Sequence, residues 1–360
     1  MSTPTRVIPP VPEISEDPLA SQAIYRLLPD AYKIETSSGA TVVARTRSLD
    51  NAELPVLVMI HGYPQSSYLS GMDGNAKSHW CRFRYIVERL PEQIPLFIPD
   101  IPGYGESTHS ATPSNTAAYS KRAIGNIILE ALKKLLNTPE RKIILLGHDR
   151  GARIIHRLAV DAAEGFLQEK YGFDLLGVAL LDIVPTIVQF ASFTDPAVAA
   201  ATFHWSFLAA PSPLPENMIE ALGGDVFVDN MIRKWTGASG EPQVSLGIPI
   251  YAAYFKRPSV IAASCADYRA GALVDAPEQV ADQKEGRKIN CPTYVLYSEG
   301  YLGSRYEVEK VWNDWVNGSK GLLSTKGVGN GVGHFLCEEA PEEVTNGLLG
   351  WIRKYLGVKV

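Results

Sequence analysis

Apolar positions along the chain gather into short runs separated by turn-forming residues. TVVART (41–46), PVLVMI (55–60), PLFIP (95–99), KIILLG (142–147), GVALLD (177–182), PTYVLY (292–297) and LLSTKG (322–327) are β-branched or aliphatic and bounded by turn signals, which predicts strands. Between them the period changes. Ile124, Ile127, Ile128, Ala131, Leu132 and Leu135 recur at helical spacing, and RGARIIHRLAVDAAE from 150 carries a second helical pattern. Alternation of this kind implies an α/β fold, a mostly parallel sheet flanked by helices on both faces.

From 186 to 286 the strand pattern stops and amphipathic, aromatic-rich helical segments replace it, interrupted by PSPLPEN and glycine clusters. This predicts an inserted helical cap. The expected organisation is a flexible or surface-wrapping N-terminal extension over 1–28, a core over 29–185, the cap over 186–286 and a second core segment over 287–360. A cleft between core and cap is where a small ligand is expected.

Composition narrows the function. With 46% hydrophobic and 20% charged residues, 360 residues can bury a large core. A net charge of −5 and the lack of any Lys/Arg run give no general attraction for nucleic acid or anionic lipid. Cys81, Cys265, Cys291 and Cys337 are scattered without a CxxC pair, as suits free thiols in a reducing compartment and no metal site. No apolar run approaches a membrane span, and the N-terminus MSTPTRVIPPVPEISEDP is polar and proline-rich. A cytoplasmic location without membrane attachment is expected.

The chemistry centres on GHDRG (147–151), which joins the strand KIILLG to the helix that follows. Gly147 and Gly151 leave room for a tight elbow that exposes the central side chain, here Asp149, at the carboxyl end of the sheet. HGYPQS (61–66) follows the strand PVLVMI, so the backbone N–H groups of Tyr63 and Arg150 are the expected oxyanion donors. DIPGYGES (100–107) is expected to pack beside the site. VGHF (332–335) puts His334 after the last strand, in the hydrolase order of nucleophile, acid, histidine. GVGNGVG has no βαβ unit behind it, which argues against a dinucleotide fingerprint. For the carboxylate that orients His334, Asp182 at the end of GVALLD is preferred to Glu299 in SEGYLGSR, a segment without Asp.

An aspartate in the elbow selects the reaction. Serine attacking an sp³ carbon would leave an ether that water cannot cleave. A carboxylate leaves an ester, which water activated by His334 can hydrolyse at the Asp149 carbonyl. Substrates are therefore carbon centres bearing a halide, or epoxides. Arg150 and Arg153, three residues apart on one helix, suit bidentate binding of a substrate carboxylate. His204 and Trp205 in FHWSFLAAPSPLPEN and Tyr268 in CADYRAG add three donors for a departing halide.

GHDRGAR, LDIVPT, FHWSFLAAPSPLPEN, the WT at 235–236, DYRAGA and GHF together resemble the fluoroacetate dehalogenases, α/β hydrolases that act on haloacetates. The resemblance runs from about residue 30 to the end of the chain. It implies Asp149 as nucleophile, His334 as base, Asp182 as acid, Arg150 and Arg153 as carboxylate ligands, and His204, Trp205 and Tyr268 as halide pocket. It also implies a homodimer, no cofactor and a short 2-haloacid as substrate. Three departures bear on the entrance: Ala266 replaces the usual Glu before DYR, YLSGMDGNAKS (68–78) is extra, and so are the first 28 or so residues. Epoxide hydrolases are the alternative resemblance, with Tyr268 as a candidate proton donor. However, they commonly carry Trp where Arg150 stands.

Overall fold

The computed structural model describes residues 3–7, 27–67, 83–329 and 331–359. Their strands form one sheet: β1 (Thr5–Val7), β2 (Asp30–Glu35), β3 (Thr41–Arg47), β4 (Val56–Ile60), β5 (Leu96–Pro99), β6 (Arg141–His148), β7 (Phe173–Leu181), β8 (Thr293–Ser298) and β9 (Leu323–Val328). The spatial order is β1-β2-β3-β5-β4-β6-β7-β8-β9. β1, β2, β3 and β5 pair antiparallel in turn, and β5-β4-β6-β7-β8-β9 run parallel. All seven apolar runs are strands.

The extension expected over 1–28 differs in part. Thr5–Val7 add an edge strand to β2, with Arg6 paired to Asp30, and Leu27 and Leu28 are buried. TRV is too short for its period to signal a strand, and only the partner edge defines it. Residues 1–2 and 8–26 of that extension, Cys81 and the extra stretch 68–78 lie outside the described residues.

Both faces of the parallel strands are covered, and alternate residues serve opposite cores. Val56, Val58 and Ile60 of β4 join the cluster that holds Ile124, Ile128 and Leu132 of α1 (Lys121–Leu136) and Ile155 and Leu158 of α2 (Arg150–Ala163). Leu57 and Met59 point the other way, onto the cluster of Val344, Leu348 and Leu349 from the C-terminal helix Pro341–Trp351. This two-sided burial explains why these strands read as continuous apolar runs.

Between β7 and β8 the chain is helical and contains no strand. It includes α3 (His204–Leu208), α4 (Gly224–Trp235) and α5 (Pro258–Ala270), whose Trp205, Val228, Ile232 and Tyr268 join the first core cluster. Ion pairs tie this segment to α1 and α2: Lys121 to Asp267 and Asp275, Arg122 to Glu278, Arg150 to Asp267, and Arg157 to Asp282. Removing one member of a buried pair, as at Lys121, Arg150 and Arg157, typically costs about 3–5 kcal/mol. No helix among the described residues is long and apolar enough to cross a membrane.

A second tie lies beside the sheet's carboxyl end. The Glu339 carboxylate accepts the N–H groups of Gly333, Phe335 and Gly237, each at 2.8 Å, so one side chain joins the 331–335 loop to the segment after α4. Burial pushes the Glu339 carboxyl above its ordinary value, and these three N–H groups act against that shift. The two backbones touch so closely that a Cβ on Gly237 would sit 2.0 Å from the Gly331 carbonyl oxygen. We expect Glu339→Gln and Gly237→Ala each to destabilise the protein by about 1–3 kcal/mol in urea unfolding, since hydrogen bonds to a charged group are worth about that much. Because both break one contact, the double variant should lose less than the sum. Strict additivity would refute a shared latch.

Candidate active site

β4, β6, β7 and β8 end side by side, and each hands a functional residue to the same edge of the sheet. Ile60 registers with Gly147, His148 with Leu181 and Leu181 with Leu296, which brings Tyr63, Asp149, Asp182 and Ser298 together just beyond the strands. Ligands in open parallel sheets bind at this edge.

Asp149 sits in the elbow at φ 48° and ψ −115°. A non-glycine residue there carries about 1–3 kcal/mol of backbone strain. The turn permits nothing wider: a Cβ on Gly147 would lie 2.5 Å from the Gly151 backbone carbon, and one on Gly151 would lie 2.2 Å from the Ile60 carbonyl oxygen. Asp149 occupies the position that caps α2, yet its side chain makes no capping bond. Instead its Oδ1 accepts the Tyr63 N–H at 2.8 Å. The Arg150 N–H, the other expected donor, lies in the first turn of α2, where an N–H has no intrahelical acceptor.

Three residues hold His334, one at its ring and two at its backbone. Its Nδ1 lies 2.6 Å from Asp182 Oδ2, and Asp182 Oδ1 accepts the Ser298 N–H at 2.9 Å and hydroxyl at 2.7 Å. The His334 N–H donates to the Trp235 carbonyl at 2.9 Å, and His148 Nε2 meets the His334 carbonyl at 2.7 Å. Its free nitrogen, Nε2, faces Asp149 Oδ2 at 3.8 Å, too far for a direct hydrogen bond. Glu299 lies instead against Gly327 and Gly329.

The two arginines of α2 are not equivalent. Arg150 is fully buried and committed to Asp267: Nε donates to Oδ2 at 2.6 Å and one terminal nitrogen to the Asp267 carbonyl at 2.7 Å, while the other has no partner. Its guanidinium lies 4.1 Å from the centre of the Tyr268 ring. Burial works against the Asp267 charge, but Arg150 and Lys121 hold that carboxyl well below its usual range. Arg153 donates only to the Val184 carbonyl and the Thr186 hydroxyl, stacks over Trp205 at 4.5 Å, and makes no ion pair among the described residues. Burial, then the charge of Arg150, push its pKa down to about 10. A bound anion would relieve both effects.

A cavity of about 30 Å³ contains Asp149, Arg153, Asp182 and His334, and is walled by Tyr63, His204, Trp205 and Tyr268. Arg150 does not line it. Burial, then the neighbouring His334, keep the His204 pKa well below normal, so the ring is neutral and one nitrogen can donate. Its Nδ1 has no partner. The Tyr268 phenol is pushed up by burial and by Asp149, so it keeps its proton. A wider groove of about 1030 Å³ lies near the opposite ends of β6 and β7, among Arg141, Phe173 and Cys291, and holds none of the predicted site residues.

DIPGYGES braces the oxyanion loop. Asp100 accepts the Ser67 N–H at 2.6 Å and hydroxyl at 2.8 Å, and the Ile101 N–H donates to His61 at 2.9 Å. Burial raises the Asp100 carboxyl to about 7. Sequence reasoning assigned no role to four contributors, although it noted Trp235 within the WT motif. Trp235 lines the cavity with a buried indole N–H that has no partner, 4.5 Å between its ring and that of His204. Tyr301 and Arg305 line it from SEGYLGSR, and Glu339 holds the His334 loop. Only the tryptophan, at the end of an amphipathic run, carried a local signal.

Comparison with known proteins agrees with this geometry. The model of the alpha/beta hydrolase family matches residues 57–346. The chain is 31% identical over 293 residues to a fluoroacetate dehalogenase from Burkholderia sp, covering 80% of this chain and 84% of that protein. It is 23% identical over 290 residues to a soluble epoxide hydrolase from Corynebacterium sp. (strain C12), covering 80% and 86%. The crystal structure of ALR0039 from Nostoc sp PCC 7120 superposes with a TM-score of 0.74 at 30% identity, covering 90% of this chain and 98% of that one. The chain belongs to the alpha/beta hydrolase family, and fluoroacetate dehalogenase is among its relatives.

Proposed function

We propose that the protein hydrolyses the carbon–halogen bond of short 2-haloacids such as chloroacetate or fluoroacetate, giving a 2-hydroxy acid and halide. One observation carries this reading: a carboxylate stands in the elbow beside a His–Asp pair, in a small cavity whose buried Arg153 has no carboxylate partner. A buried charge left uncompensated is costly, and a substrate carboxylate is the group that would match it.

In the first step the substrate carboxylate pairs with Arg153. Asp149 Oδ2, the oxygen not held by Tyr63, bonds to C2 while the carbon–halogen bond breaks and the electron pair leaves with the halide. His204, Trp205 and Tyr268 donate to that halide, with Trp235 as a fourth donor. Fluoride gains most because it accepts the strongest hydrogen bonds. In the second step water gives a proton to His334 Nε2 and adds to the Asp149 carboxyl carbon. Negative charge then develops on Oδ1, which already faces the Tyr63 N–H. Collapse breaks the ester C–O bond, the remaining water proton passes to the departing alkoxide oxygen to free the hydroxy acid, Asp149 returns as carboxylate, and His334 gives its proton to solvent. Asp182 holds the His334 tautomer and balances its charge. In this reading Arg150, which does not line the cavity, positions Tyr268 and adds positive potential without touching the substrate carboxylate.

A second reading is epoxide hydrolysis, because His204 and Tyr268 line the cavity together and either can protonate an epoxide oxygen. Arg153, which has no ion-pair partner among the described residues and is answered only at longer range by Asp149, a charge that esterification would remove, argues for the anionic substrate.

Halide release should separate the readings. Asp149→Asn should release none, and His334→Asn should release at most one equivalent per site and leave an alkylated Asp149 visible by mass spectrometry. Halide release without an adduct would rule out the covalent route; turnover of styrene oxide but no haloacid would favour the epoxide reading. Arg153→Gln should raise KM for chloroacetate about 10–100-fold, the equivalent of about 1.5–3 kcal/mol for a charge-assisted bond. Trp235→Phe should lower kcat for fluoroacetate several-fold more than for chloroacetate.

A further inference from the structure

The arginines that tie core to cap, or brace the cap from within, have carboxylate partners. Arg122 pairs with Asp161 and Glu278, Arg150 with Asp267, Arg157 with Asp161 and Asp282, and Arg269 with Glu216. Two arginines at the cavity break this pattern. Arg153 and Arg305 make no ion pair among the described residues, and both line the space that contains Asp149 and His334. Arg153 is buried, whereas Arg305 is half-buried.

Arg305 is braced rather than loose. Its Nε donates to the Tyr301 carbonyl at 3.0 Å, and its guanidinium stacks over the Tyr301 ring at 4.3 Å. That ring lies 5.5 Å from the ring of His334. Nε and one face are thereby occupied and the Tyr301 hydroxyl also interacts with the guanidinium, but no carboxylate pairs with Arg305 among the described residues, which leaves its charge available to an acid. The Arg305 charge reaches the site, since it is one of the cations that lower the His204 pKa.

The charge balance of the covalent intermediate extends the argument. Esterification neutralises Asp149, leaving Arg153 and Arg305 in a cavity whose remaining carboxylate, Asp182, is held by His334 and Ser298. A monocarboxylate matches only one of the two cations. A dicarboxylate matches both.

Building on the haloacid reading, we propose that Arg305 is a second carboxylate site and that the preferred substrates are 2-halo dicarboxylates of the 2-chlorosuccinate type. The carboxylate on C2 pairs with Arg153 and the distal one with Arg305. Asp149 bonds to C2 as the C–Cl bond breaks and chloride leaves with the electron pair. Water, losing a proton to His334, then cleaves the ester to give 2-hydroxysuccinate.

The test measures chloride release from chloroacetate, 2-chloropropionate and racemic 2-chlorosuccinate by the full-length protein and by Arg305→Gln and Arg305→Lys. The wild type should favour 2-chlorosuccinate over 2-chloropropionate at least tenfold in kcat/KM. Arg305→Gln should lower the ratio of 2-chlorosuccinate to chloroacetate about 10–100-fold, and Arg305→Lys should restore part of it. No preference in the wild type, or an equal loss on every acid in Arg305→Gln, overturns the proposal and makes Arg305 a general anion-steering or structural residue. Calorimetric binding of 2-hydroxysuccinate and glycolate to the same proteins reads the subsite without turnover. If no chloroacid reacts, the haloacid reading fails, and the subsite still stands or falls on tighter 2-hydroxysuccinate binding that Arg305→Gln abolishes.

Discussion

The turn between β6 and α2 constrains everything around it. It must reverse from strand to helix within one residue, so Asp149 takes a positive φ while Gly147 and Gly151 let backbone meet backbone. The strain is local, and the buried strands and helices on either side hold it in place. In return, the carboxylate stands clear of the sheet at the start of α2, facing the Tyr63 N–H and His334. For the proposed reaction this matters, because an aspartate in an ordinary loop would be solvated and so a weaker nucleophile.

The partners of that carboxylate are held by interactions whose strength comes from burial. Asp182 is fixed by two donors from Ser298, and the His334 backbone by Trp235 and His148. Glu339 adds a carboxylate that touches no part of the cavity but fixes the loop on both sides of His334. The separation of His334 and Asp149 is thus set by contacts from the cap and from two strands, and moving the cap would move the histidine.

Electrostatics divides the arginines into two kinds. Where Asp267 answers Arg150 the charge is neutralised inside the protein, and the pair with Lys121 locks cap to core. At Arg153 no carboxylate among the described residues forms an ion pair, and in the proposed reading its burial makes the site receptive to an anion from outside. The neutral His204 and the protonated Tyr268 fit the same economy: they offer donors without adding another charge to a small cavity.

The sequence alone determined the strands that are buried on both faces, because their apolar runs record that burial directly, and it determined the elbow, because glycines flanking an aspartate are a local steric requirement. It also ordered Asp149, Asp182 and His334 along the chain, each after a readable strand. Tertiary structure decided what depends on a partner. β1 is a strand only because β2 offers an edge, and Arg150 and Arg153 look alike in GHDRGAR until Asp267, more than a hundred residues away, takes one of them. Trp235, Arg305 and Glu339 belong to the site only through cap-to-core packing, which no spacing along the chain encodes.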